Sequence, residues 1–153
     1  MIRIALLIPC VLAAATAPVV AGEVTLDVAK DYYDVGETVW FTIANETGLE
    51  VYFPHMPIYE IRDHTGTEIY PGIHSTVLVG FGPGQSETFS WEQVYSGGGQ
   101  VPEGMYFVTA DWYYAKEPPA SKSRIADIFY IVDMSGVEPP APSSWGRIKG
   151  LFR

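Results

Sequence analysis

The chain has 153 residues, 18 acidic against 9 basic, and a formal net charge of −9 with a pI near 4.6. A surface this acidic repels nucleic acid and anionic membranes, so both are excluded as partners; the bland reading of the charge is solubility. One cysteine, Cys10, leaves no intrachain disulfide and no thiolate metal cluster, and no cofactor or metal is expected from composition.

The first element is a leader. Arg3 precedes an uncharged apolar run from Ile4 to Val20, and small residues follow at Ala21 and Gly22. This is the pattern of a secretory signal peptide over 1–22, with cleavage expected after Ala21 or Gly22. The alternative, a membrane anchor, is disfavoured by a run at the short limit for spanning and interrupted by Pro9 and Pro18. Removal places the chain outside the cytoplasm, secreted or in the periplasm or cell envelope. It also removes Cys10, so residues 23–133 must be held by their core alone.

That stretch predicts an all-β, immunoglobulin-like antiparallel sandwich of seven to nine strands. Val24, Leu26 and Val28 alternate with polar residues, as do Val39, Phe41 and Ile43. Turns are expected at Asp34-Val35-Gly36 and at Asn45-Glu46-Thr47-Gly48. Short strands follow at 50–53, running into Pro54 and Pro57, then at 58–62 and 68–70 around a turn at Asp63-His64-Thr65-Gly66. Further strands are expected over 76–81, over 87–94 with Trp91, over 105–114 as the longest, and over 125–132. Gly104-Met105-Tyr106-Phe107-Val108 has the spacing of a tyrosine corner, in which a tyrosine hydroxyl bonds to backbone upstream. Trp91, Gly104 and Tyr106 are therefore structural candidates.

After Asp133 the composition changes. Residues 134–144 hold a Pro-rich linker and 145–153 form a cationic aromatic tail, Trp-Gly-Arg-Ile-Lys-Gly-Leu-Phe-Arg. The tail resembles short endings of some exported bacterial proteins, which implies sorting or docking; a disordered end is the alternative.

Chemistry is sparse. His55, His64 and His74 each fall in or beside an expected turn and read as solvent-exposed loop residues. His55-Met56 suits copper by ligand type, but no ligand spacing supports it. No nucleophile elbow, catalytic triad or phosphate loop is present, so an enzyme is not expected. Asp31 and Asp34 lack a third calcium ligand. Asn45-Glu46-Thr47 matches a glycosylation sequon, for which turn formation is the alternative. The most suggestive surface is the loop after the longest strand, with Tyr113, Tyr114, Lys116, Glu117, Pro118, Pro119 and Lys122. Two prolines pre-stiffen it, which lowers the ordering cost on binding. Whichever of Tyr113 and Tyr114 faces outward would anchor an interface. The plain alternative is an ordinary hairpin loop.

The stretch from Tyr33 to Ala110 resembles the BsuPI family of intracellular proteinase inhibitor-like domains. The matching residues are Tyr33-Asp34-Val35-Gly36-Glu37, Val39-Trp40-Phe41-Thr42-Ile43, Asn45-Glu46-Thr47-Gly48, Tyr59-Glu60-Ile61, Asp63 with Gly66, Pro83-Gly84-Gln85-Ser86, Phe89-Ser90-Trp91-Glu92-Gln93 and Val101-Pro102-Glu103-Gly104-Met105-Tyr106. The resemblance implies an immunoglobulin-like fold and a protein partner, a serine protease, blocked by loop insertion. The export pattern departs from the family's intracellular name, and no motif position marks a reactive site. The alternatives are an envelope adhesion or scaffolding module, and a carbohydrate-binding sandwich using Tyr113, Tyr114 and Trp91.

Overall fold

The computed structural model describes residues 22–114 and 122–135. These form ten strands: β1 (Val24–Val28), β2 (Tyr32–Asp34), β3 (Val39–Asn45), β4 (Val51–Phe53), β5 (Glu60–Asp63), β6 (Glu68–Tyr70), β7 (Val79–Phe81), β8 (Ser86–Trp91), β9 (Gly104–Trp112) and β10 (Ser123–Val132). One sheet has the order β1-β3-β8, a second β2-β10-β9-β5-β6, and β4 pairs with β7 in a small third sheet. The fold is an immunoglobulin-like β-sandwich, and no described helix is long and apolar enough to cross a membrane.

Period-two burial builds the two layers. Along β3, Val39, Phe41, Ile43 and Asn45 are buried while Trp40 on the opposite face is half exposed. Along β9, Tyr106, Val108, Ala110 and Trp112 face the core. Trp91 of β8 is 2% exposed and meets Tyr106 and Phe129 at ring-centroid distances of 5.9 and 6.1 Å. This aromatic cluster joins the sheets without a disulfide. Each such side chain buries enough area to contribute about 2–3 kcal/mol. Phe53 and Phe81, packed edge-to-face at 5.0 Å, close one side of the core from the small sheet.

The tyrosine corner forms as expected: the Tyr106 hydroxyl donates to the Pro102 carbonyl at 2.6 Å. Burial, with the neighbouring Tyr95 and Asp63, pushes this phenol up to about 12.

Several expectations need correction. The strand count is ten and not seven to nine, in part because β2, three residues flanked by turns, carries no readable alternation. β2 runs parallel to β10, with Tyr32 opposite Tyr130, so the sandwich is not wholly antiparallel. The longest strand is β10, starting at Ser123, not the strand around Tyr106. Ile58 and Tyr59 are buried but precede the ladder of β5. β7 covers only the end of the apolar stretch from Thr76. β8 stops at Trp91, which pairs with Val39, the first residue of its partner β3, and two residues on Gln93 turns the chain with a left-handed φ of 56°.

Candidate functional site

The expected binding loop is divided. Tyr113 is 3% exposed, exchanges backbone hydrogen bonds with Tyr52 at 2.8 and 3.0 Å, and stacks on its ring at 6.3 Å. It is a core residue and not an interface anchor. Tyr114 is 50% exposed and stands edge-on to Trp112 at 5.0 Å. Lys122 is exposed, and Lys116, Glu117, Pro118 and Pro119 lie outside the described residues. Trp91 is sealed in the core, which removes it from any sugar-binding face. The leader, linker and tail also lie outside the described residues.

The sequon is structural. Asn45 is fully buried. Its amide donates to the Leu49 and Phe81 carbonyls at 2.8 and 2.9 Å, and its carbonyl accepts from the Thr47 backbone N–H and hydroxyl at 3.0 and 2.6 Å. A glycan on that nitrogen would replace one of the two N–H groups that make these bonds, at a site with no exposure to solvent. Asp34 likewise serves its turn, accepting from the N–H groups of Val35 and Met134.

The histidines are not all exposed. His64 is, on the β5–β6 turn. His55 and His74, 19 positions apart, come together with ring centroids at 4.2 Å and Nδ1 atoms at 3.1 Å. Their segments, 54–59 and 71–78, are stitched by reciprocal backbone bonds between Met56 and Ser75 at 3.1 and 3.0 Å. The two histidines lie over the outer face of the five-stranded sheet, as the register of β5 and β9 shows. Ile61 is opposite Val108, which faces the core, so Glu60 and its partner Thr109 point the other way. Both are nevertheless buried, at 9% and 5% exposure. A covering layer explains this, and the histidines are part of it: both place Nε2 near Glu60 Oε1, at 3.9 and 3.8 Å.

Around this pair the hydrogen bonds are directional. His55 Nδ1 meets the Pro57 carbonyl at 2.8 Å, which requires a proton on that nitrogen. His74 Nε2 faces Glu68 Oε1 at 3.1 Å. Arg62 takes the other oxygen of Glu60, with Nε donating to Oε2 at 2.9 Å and a second contact from Nη2. Glu60 Oε1 is left aimed between the imidazoles. Farther along the same face, Arg124 grips Asp111 through two bonds of 2.6 and 3.1 Å. Sequence reading misses the cluster because its members come from two irregular loops and two strand starts, with no motif spacing. The signal present in the sequence is a pair of histidines in two separate proline-containing loops, with Pro54 and Pro57 around His55 and Pro71 ahead of His74.

The segments that carry the histidines also present apolar side chains to solvent. Met56, Ile73, Val77 and Leu78 are 45, 85, 54 and 40% exposed, and they are four of the ten large hydrophobic residues exposed in the described chain. An open cleft of about 480 Å³, which shares Glu68 with the histidine cluster, lies between the β5–β6 turn and the strand entering Tyr106, lined in part by His64, Tyr95 and Glu103.

No protein-family model matches the sequence, and no curated protein matches it. Solved structures do. A chain of the Salmonella enterica SafA pilin in complex with the SafB chaperone matches with a TM-score of 0.52 and 11% identity over 76% of this chain and 57% of that one. The periplasmic chaperone SfaE matches with a TM-score of 0.50 and 19% identity over 76% of this chain and 61% of that one. The present chain thus spans about three-fifths of the length of either, and at such identities the likeness is one of fold: an immunoglobulin-like sandwich of the kind found in those two structures.

Proposed function

We propose that this protein is an exported, non-enzymatic β-sandwich that binds another protein outside the cytoplasm. The observation that carries the proposal is the concentration of exposed apolar side chains, Met56, Ile73, Val77 and Leu78, on two loop segments fastened over one sheet face. Large side chains gathered at solvent cost solubility unless a partner covers them. The leader-like start of the chain supports export. The fold-level likeness to a pilin–chaperone complex and a periplasmic chaperone supports the same compartment and a protein ligand. A photo-crosslinking residue at position 73, in the chain expressed by its own host, tests the reading. A discrete adduct is expected there and not at Thr42, on the outer face of β3. Equal or no crosslinking at the two positions would reject this face as the binding surface.

A second reading keeps proteinase inhibition, as the BsuPI resemblance implies. Its support is the position of Tyr114, half exposed at the shoulder of the proline-bearing loop. The mature protein is then expected to titrate a subtilisin-like or trypsin-like protease stoichiometrically, over an interface of about 1,600 Å². Undiminished protease activity across a panel, with the sandwich folded, removes it.

A further inference from the structure

We propose that His55, Glu60 and His74 form a binding site for a divalent first-row transition-metal ion, with Zn²⁺ as its reference occupant. The three side chains bring one ligand atom each to within 4.8 Å of one another. Two imidazoles and one carboxylate are a donor set suited to zinc and its neighbours, while magnesium and calcium prefer all-oxygen sites. Ligand atoms about 2.1 Å from a tetrahedral ion lie about 3.4 Å apart. The observed 3.8 and 3.9 Å from Glu60 Oε1 to the two Nε2 atoms exceed this by about half an ångström, and the edge between the imidazoles, within 4.8 Å, must close as well.

Three further features support a built site. Glu60 is pre-oriented: Arg62 occupies Oε2 and leaves Oε1 free of arginine. Such outer-shell contacts orient a ligating carboxylate. The carboxylates of the face are held in ion pairs, Glu60 and Glu68 with Arg62 and Asp111 with Arg124, which fixes their positions around the histidines. Finally, the Thr109 hydroxyl, directly across the ladder from Glu60 and 5% exposed, lacks a hydrogen-bond partner among the described residues. A buried hydroxyl on the strand position paired with Glu60 adds polar capacity to this face that the described side chains do not use.

The ion would also tie together segments 54–59 and 71–78, which are joined by the Met56–Ser75 backbone bonds, the Ser75 hydroxyl on the Met56 carbonyl and the imidazole contact. Loading at His74 Nε2 requires that ring's proton on Nδ1, so the two Nδ1 atoms, 3.1 Å apart, must separate, and Glu68 is freed to complete the coordination.

The test is metal titration of the untagged mature chain. One Zn²⁺ per chain is expected to bind with micromolar or tighter affinity, and Co²⁺ in its place is expected to show the visible absorption of a four- or five-coordinate nitrogen–oxygen site. His74→Ala and Glu60→Gln are expected to weaken binding by about 100-fold. His64→Ala, on the remote turn, is expected to leave it unchanged. Should the His74 and Glu60 variants fail to fold, acylation of the wild-type histidines by diethyl pyrocarbonate decides: Zn²⁺ should protect two of the three. Zinc affinity no tighter in wild type than in the folded variants, or all three histidines equally modified with zinc present, would overturn the site.

Discussion

Gln93 shows how much one side chain decides. It is fully buried, in left-handed backbone conformation, and its amide nitrogen donates to the Asp34 and Glu37 carbonyls at 2.7 Å each. Its carbonyl accepts from the Gly36 N–H at 2.8 Å and from Gln100 at 3.0 Å. The β2–β3 turn is therefore satisfied from the far side of the fold. Gln93→Glu keeps the shape but aims a carboxylate oxygen at two carbonyls. A loss of about 3 kcal/mol or more is expected in urea unfolding, since breaking a buried polar network leaves several groups unpaired. Stability within about 0.5 kcal/mol of wild type would show that the network carries little. Nothing in the string Trp91-Glu92-Gln93 reveals the role of the glutamine, because its partners lie 56–59 positions away. Tyr106 is legible because the tyrosine corner is local: donor and acceptor are four residues apart. The His55–His74 contact, like that of Gln93, crosses from one loop to another and leaves no periodic trace.

The strands obey the same division. β1, β3, β9 and β10 are legible because each is long enough to show alternation against one core face. β2, three residues flanked by turns, shows neither length nor period, whereas β4, β6 and β7, equally short, are marked by β-rich composition between turn residues. Pairing supplies what pattern does not. Arg124 of β10 stands opposite Asp111 of β9, a register only the ladder decides. Burial alone would raise the Asp111 carboxyl, but the Arg124 hydrogen bonds and charge, with help from Lys122 and His55, hold it below the usual carboxylate range. A depressed folded-state value means the pair contributes above the unfolded carboxyl range and is lost as pH falls through the folded value. Arg124 is half exposed, so the contribution is small, about 0.5–1 kcal/mol near neutrality. Asp111→Asn is expected to lower stability by that amount at pH 7. Against wild type, the deficit should shrink as the pH is taken below the ordinary aspartate range of about 3.9. A pH-independent difference would assign the effect to packing.

At the scale of the whole molecule, one core serves both sheets and the small third sheet, with Trp91, Tyr106 and Phe129 at the centre and Phe53 with Phe81 at the side. A shared core implies a single cooperative transition. Calorimetry of the mature chain is expected to show one peak with an enthalpy of about 75 kcal/mol, from about 0.7 kcal/mol per residue over a sandwich of roughly 110 residues. The van't Hoff value should agree, and two resolved peaks would mean that the sheets unfold separately. The sequence by itself determined the β class, the inward faces of the long strands, the tyrosine corner and the acidic surface, because each follows from side chains at short, regular spacing. Only the tertiary structure decided which tyrosine of the Tyr113–Tyr114 pair reaches solvent, that the sequon is sealed, and that two loop histidines and a strand glutamate converge. Those outcomes depend on which segments cover the outer face of a sheet, and covering is a long-range packing event that no local period encodes.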